Sequence, residues 1–393
     1  MMQYRKDKYG NELSVLGYGC MRFTTSGGKI DIDKTEAEIM RAFELGINYY
    51  DTAYIYSGSE AALGEIFART GIRDKINIAT KLPHYMIGSI DDCDRILKEQ
   101  LTRLRTDHVD YYLMHMLTDI HSWNRIKEFG IIDWLNARKA EGQLGQVGFS
   151  YHGNSDMFMQ ILDDYDWDFA QVQYNYVDEH SQAGRTGVEY SQTKGIPIVI
   201  MEPLRGGKLI NGLPKDAMKI IADHPSHRSA AEWGLGWLYD QSGVTVVLSG
   251  MNSREMVEEN CRIASQYTPG SFSESDRQII SEIVRAYYSG MKVGCTGCRY
   301  CMPCPKNVDI PGTFAAYNRL AVDGKLGGLK EYFMCTTMRK DYTGPANCVK
   351  CGKCEQHCPQ KIEIRKELDN ARKSLETPVY KIAKKFVPFF AKF

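Results

Sequence analysis

Asp51, Tyr56, Lys81 and His115 close three successive strand-like runs: Asn48-Tyr-Tyr-Asp51 with Tyr56 five residues on, Asn77-Ile-Ala-Thr-Lys81, and Val109-Asp-Tyr-Tyr-Leu-Met-His115. Reduction of a carbonyl by hydride needs a group that protonates the developing alkoxide. A free tyrosine, with a pKa of about 10, donates poorly at neutral pH. A nearby ammonium favours the phenolate and lowers that pKa. An aspartate pairs with the lysine and holds it charged, and a histidine can donate to the carbonyl oxygen or relay the proton. Each residue alone has an ordinary structural reading: a packing tyrosine, a solvated lysine, a satisfied core histidine. Their joint placement at strand ends favours chemistry.

A second set of reactive groups is sulfur. Of 12 cysteines, eight fall in two dense runs near the C-terminus. Cys348-x2-Cys351-x2-Cys354-x3-Cys358-Pro359 has the spacing of the bacterial ferredoxin run for a [4Fe–4S] cluster. Cys295-x2-Cys298-x2-Cys301-x2-Cys304-Pro305 has one residue fewer before its last cysteine. In two-cluster ferredoxins the fourth cysteine crosses to the other cluster. The expected sets are therefore Cys295, Cys298, Cys301 with Cys358, and Cys348, Cys351, Cys354 with Cys304. Cys335 is the substitute if Cys304 is not a ligand. Two structural zinc sites are the alternative, but zinc usually takes cysteine pairs separated by a longer loop. Cys93 and Cys261 read as buried thiols, and Cys20 as a residue lining the site at the end of the first strand.

The elements that must position these groups alternate. After an N-terminal hairpin around Gly10-Asn11, strand-like runs fall at 16–20, 47–50, 76–80, 109–114, 146–149, 169–172, 196–201 and 244–248. Helix-like stretches fall at 60–69, 89–104, 123–141, 155–163, 181–194, 229–240 and 253–265, with a first helix opening at Asp33 and ending near Gly46. Eight βα units within about 250 residues predict an α/β fold, a (β/α)8 TIM barrel. An open doubly wound sheet is the weaker alternative, because no Gly-x-Gly-x-x-Gly follows the first strand. The expected organisation is a barrel over 1–266, a helical connector over 267–291, a small α+β ferredoxin-like iron–sulfur domain over 292–365, and a basic aromatic tail over 366–393.

Composition is that of an ordinary soluble protein, with 43% apolar and 25% charged residues. The 49 basic and 49 acidic residues balance, which gives no electrostatic case for nucleic acid. No signal-peptide core or transmembrane run is evident, so a cytoplasmic location is expected. The tail has aromatics and lysines without an acid; docking on the protein's own surface is favoured over membrane contact, because Pro388 limits a helix.

The chain up to about Asn260 resembles the aldo-keto reductase family. Asp51-Thr-Ala-x-x-Tyr56, the lysine of Ala-Thr-Lys81 and the histidine after Asp-Tyr-Tyr-Leu-Met match that family's catalytic tetrad. The resemblance implies Tyr56 as general acid, Lys81 and Asp51 tuning it, and His115 orienting a small carbonyl substrate. It implies a nicotinamide cofactor, NADPH or NADH, across the barrel mouth. Ser150 of Gly148-Phe-Ser and Gln171 match its carboxamide contacts. Pro203, Leu204 and Gly206 lie in a loop resembling the pyrophosphate loop, and Glu259 and Asn260 match the adenine contacts. Gly19 and Met21 complete the expected set. Two departures stand out. Met201 occupies the place of the tyrosine that stacks on nicotinamide, and Arg254 is the sole candidate for a 2′-phosphate. A flavin in the same mouth is therefore an open alternative. With the cysteine runs, the whole resembles the subgroup that carries a C-terminal two-cluster ferredoxin domain. A ferredoxin or other redox partner, with electrons passed through the clusters, is the second reading; a redox-responsive binding platform is the third.

Overall fold

The computed structural model describes residues 1–295, 297, 299–358 and 360–390, with side chains up to Phe386. Eight strands form a closed parallel barrel: β1 (Leu16–Gly19), β2 (Tyr49–Asp51), β3 (Asn77–Pro83), β4 (Val109–Leu117), β5 (Leu144–Tyr151), β6 (Phe169–Gln173), β7 (Ile198–Met201) and β8 (Val246–Ser249). Neighbours around the barrel are neighbours in sequence, and β8 pairs with β1, Val247 opposite Leu16. The strands read as apolar runs because both faces are covered.

The hairpin Tyr4–Lys6 with Glu12–Ser14 closes the N-terminal end. Its Leu13 packs inside the barrel against Tyr49, Tyr111, Phe169 and Val199. Tyr111 donates to Asp7 at 2.7 Å. With that end plugged, the mouth at the C-terminal strand ends is the open one. A second small hairpin, Thr25–Ser26 with Lys29–Ile30, was not expected.

Several expected boundaries shift. The first helix is Ile32–Glu44 and is capped by Asp31, not Asp33. The stretch 123–141 is two helices, Ile120–Lys127 and Ile131–Ala140, broken at Gly130 with φ 84°. Two helices after β7, Lys208–Asn211 and Lys215–Asp223, had no expected counterpart. Glu274–Tyr287 forms the connector helix.

The C-terminal module has its own core, built from Val308, Ile310, Phe314, Tyr332, Ile364 and Leu368. It contains helices Ile310–Val322, Gly324–Tyr332 and Ile364–Leu375, with the described cysteines of the two runs in loops around them, apart from Cys354 in the short helix Lys353–Gln356. In the tail, a helix spans Pro378–Phe390 and runs through Pro388, so the proline does not end it. Residues 391–393 lie outside the described residues. No described helix is long and apolar enough to cross a membrane.

Candidate active site and cluster module

The barrel brings the four acid–base residues together. Asp51 ends β2, Lys81 lies within β3 opposite Leu113, and His115 lies in β4, which runs on to Leu117. Lys81 Nζ donates to Asp51 Oδ1 at 2.7 Å and to the Thr52 carbonyl at 2.6 Å. The same ammonium stands 5.2 Å from the centre of the Tyr56 ring. The His115 ring meets Tyr56 edge-on at 6.1 Å. Asp51 and Lys81 are almost fully buried, whereas Tyr56 is half-buried at the mouth.

Burial sets the electrostatics. It pulls the Lys81 ammonium down, but the Asp51 carboxylate outweighs it and holds Lys81 above the usual lysine range. Burial and then Lys81 hold His115 neutral, well below the usual histidine range. For Tyr56 the expected direction is corrected. Lys81 does pull its hydroxyl down, but burial is larger, and the net shift is upward.

The remaining expected contacts surround the mouth. Ser150 Oγ accepts the Met116 N–H at 2.8 Å and can still donate its own hydrogen. Gln171 is buried opposite Ser150, and its Oε1 has no partner. Met201 caps the barrel interior. Gly19 ends β1, and Met21 is exposed beyond it. After β7, Pro203 and Leu204 are buried, while Glu202, Arg205, Gly206 and Gly207 all have positive φ. Arg254 is exposed and paired with Glu258 at 3.0 Å. Glu259 accepts from Ser229, and Asn260 donates to Ser249 at 3.0 Å. From the sequence alone Trp167 and Trp123, in the stretches that follow barrel strands, are candidates for lining the pocket; in the structure they pack in the core instead, 4.7 Å apart. Arg22 was missed: it donates to the Gly206 carbonyl at 3.3 Å and sits over the loop expected to hold phosphate.

The described thiols of the two runs line two cavities. Cys304, Cys348, Cys351 and Cys354 line a cavity of about 210 Å³, whose wall Cys301 also touches. Cys295, Cys301 and Cys358 line a second cavity. Cys298 lies outside the described residues. Cys335 lines neither cavity; it is buried and donates to Glu331 at 3.2 Å. Among the described residues no three such groups converge as around one ion. A cubane holds its thiolates farther apart than a single zinc with bonds of about 2.3 Å. The donor set, with cysteine thiols gathered around each cavity, fits iron–sulfur clusters.

The module sits on the barrel mouth. Lys340 N–H donates to Asp119 after β4 at 3.3 Å, and Arg299 pairs with Asp156 after β5. Arg319 bridges Asp178, after β6, at 2.7 Å and Glu331 at 2.8 Å. Arg205, after β7, bridges Asp178 at 3.0 Å and Asp323 at 2.8 Å. Lys330 pairs with Glu202 at 2.9 Å. Burial pushes the Asp178 carboxyl up, but Arg205 and Arg319 outweigh it and hold Asp178 well below the usual range.

Comparison with known proteins agrees with this architecture. The profile of the 4Fe-4S dicluster domain matches residues 294–363. Methylglyoxal reductase YeaE of Escherichia coli is 32% identical over 54% of this chain and 74% of its own length. L-galactose dehydrogenase of Arabidopsis thaliana is 26% identical over 70% of this chain and 90% of its own. The holo structure of aldo-keto reductase AKR11C1 from Bacillus halodurans covers 73% of this chain and 97% of its own, with TM-score 0.61 and 26% identity. An aldo-keto reductase from Klebsiella pneumoniae in complex with NADPH, at 17% identity and TM-score 0.58, covers 72% of this chain and 95% of its own and shares the fold. The profile of the aldo/keto reductase family spans residues 15–280, the whole barrel with its tyrosine, lysine, aspartate and histidine at one mouth, and on that match this chain belongs to the aldo/keto reductase family.

Proposed function

We propose that the protein reduces an aldehyde or ketone with NAD(P)H through Asp51, Tyr56, Lys81 and His115, and that the module over 292–365 holds two [4Fe–4S] clusters. The observation that carries the first part is the buried Lys81–Asp51 pair at 2.7 Å with Tyr56 and His115 over it. The nicotinamide, when bound, supplies hydride to the carbonyl carbon. Tyr56 gives its hydroxyl proton to the carbonyl oxygen, and the phenolate left behind is stabilised by Lys81. Asp51 keeps Lys81 charged and aimed. A neutral His115 has one ring N–H to donate to the same oxygen.

Gln171, whose buried Oε1 is unpartnered, suits the amide hydrogens of a carboxamide, and Ser150 suits its oxygen. Gly206 with Arg22 suits phosphate, and NADPH in the Klebsiella relative supports the choice of cofactor. Methylglyoxal, named in the E. coli relative, is the first carbonyl to assay. Tyr56→Phe is expected to lower turnover by about 10²–10⁴-fold, the range for a lost general acid, with NADPH binding unchanged by fluorescence titration. Unchanged turnover would refute the assignment.

A second reading rests on the module's position. Gly297 and Arg299 of the first run touch His180 and Asp156 on the barrel loops. Cys351 of the second run is exposed, and Lys306 and Lys353 line its cavity without an acid. The clusters would then relay single electrons from a carrier such as ferredoxin to the mouth. A flavin there would reconcile one-electron delivery with two-electron chemistry. An anaerobic absorbance spectrum with iron, sulfide and released-cofactor analysis separates the readings. Two cubanes, no flavin and no bleaching by NADPH support the first; bound flavin, or bleaching by NADPH or reduced ferredoxin, supports the second.

A further inference from the structure

The tail helix Pro378–Phe390 has two unlike sides. One side is docked. Tyr380 is 2% exposed and meets Tyr332 at 5.3 Å and Phe333 at 5.0 Å. Its hydroxyl lies 2.9 Å from that of Thr337. Lys384 lays its ammonium 4.0 Å from the Tyr342 ring centre. The other side carries Val379, Ile382 and Phe386, which are 65%, 61% and 52% exposed. Their spacing of three and four residues puts them on one stripe of a helix with 3.6 residues per turn. A buried anchor on one side and three large apolar side chains in water on the other is costly unless something covers the stripe.

The charges indicate what covers it. From Thr377 to Phe390 there are three lysines, Lys381, Lys384 and Lys385, and no acid, in a chain whose 49 basic and 49 acidic residues balance overall. Lys381 and Lys385 are exposed on one flank of the stripe. An antiparallel second copy of the same helix would bring these cations face to face. No described helix is long and apolar enough to cross a bilayer. An apolar stripe flanked by lysines is the pattern of a helix that lies in the headgroup region of an anionic membrane. We propose that residues 378–386 form an interfacial helix that rests the protein on an anionic lipid surface, with Val379, Ile382 and Phe386 in the acyl boundary and Lys381 and Lys385 at the headgroups. Tyr380 ties that helix to the module, so the membrane contact is rigidly linked to the cluster side of the molecule.

The test floats the full-length protein, clusters intact, with vesicles of phosphatidylcholine alone and of phosphatidylcholine mixed with phosphatidylglycerol. Flotation with the mixed vesicles only, weakened by salt, is expected. Ile382→Asp with Phe386→Asp should lower partitioning by about a hundredfold through lost apolar burial. Lys381→Glu with Lys385→Glu should lower it by tenfold or more, at about fivefold per lost cation. All four positions are exposed, and cluster absorbance with NADPH binding reports that the variants remain folded. Failure of the native protein to float with anionic vesicles would overturn the proposal. So would flotation untouched by the Ile382/Phe386 pair, or a lipid-free dimer or a bound acidic protein that this pair disperses.

Discussion

Lys81 is 1% exposed and makes two hydrogen bonds before any ligand arrives, whereas Cys351 is exposed in a loop of the module. The acid–base groups of the barrel are set by strand register: Asp51 opposite Ala79, Lys81 opposite Leu113, Pro83 opposite His115. The described cysteines of the two runs lie on loops and, for Cys354, on the short helix Lys353–Gln356, all but Cys351 packed against the edge of the module core, and a cluster bonded to four of them at once would fix their positions. The contrast teaches that backbone closure preorganises one site, while the ligand organises the other. The two are joined by buried ion pairs, so they are not independent.

The sharpest way to break the comparison is to remove a thiolate. Cys304→Ser is expected to cost one whole cluster by iron and sulfide analysis and to leave NADPH binding to the barrel intact. Cys335→Ser is expected to keep both clusters, and the reverse result would move the ligand to Cys335. Next is the junction. Arg319→Ala leaves Asp178 and Glu331 buried and short of a partner, at an expected cost of about 3–5 kcal/mol, read by denaturant unfolding.

A smaller effect comes from pH. His84, His115 and His152 all have pKa values lowered first by burial, His84 to about 3. The unfolded chain binds protons on these histidines below about pH 6.5 more readily than the folded chain, so stability is full above that pH and falls as pH drops, by up to about 1.4 kcal/mol per unit for a histidine such as His84 that stays neutral in the fold. Unfolding midpoints measured between pH 7 and pH 5 check this. The smallest effect is at Arg254, which is exposed and already paired with Glu258. Arg254→Ala should shift the NADPH over NADH preference by less than about fivefold, the scale of one exposed ion pair.

Much of this was legible in the sequence. The near-continuous apolar runs Ile-Pro-Ile-Val-Ile and Val-Thr-Val-Val-Leu read as buried parallel strands, because such runs have few other places to go, and they hold β7 and β8. The spacing of cysteines reads directly as a ligand set. Other features were not legible. Lys81 reads as a strand end, yet β3 continues to Pro83, because the Leu-Pro that follows gives no turn signal. Trp167 reads as a pocket residue, but a large aromatic next to a strand start is equally suited to a core, where it packs against Phe149 and Trp123. The Arg319–Asp178 pair joins residues 141 positions apart, and no local pattern announces it. The Tyr56 shift depends on burial, which spacing does not report.

The module roofs the loops that follow β4, β5, β6 and β7. Traffic into the mouth is left to the arc of loops after β8, β1, β2 and β3. Glu259 and Asn260 belong to the helix Arg254–Ala264 that follows β8 on that arc, so a dinucleotide held there would lie across the side the module leaves uncovered. An ordered kinetic sequence is expected from this geometry: cofactor first in and last out, with the alcohol leaving between.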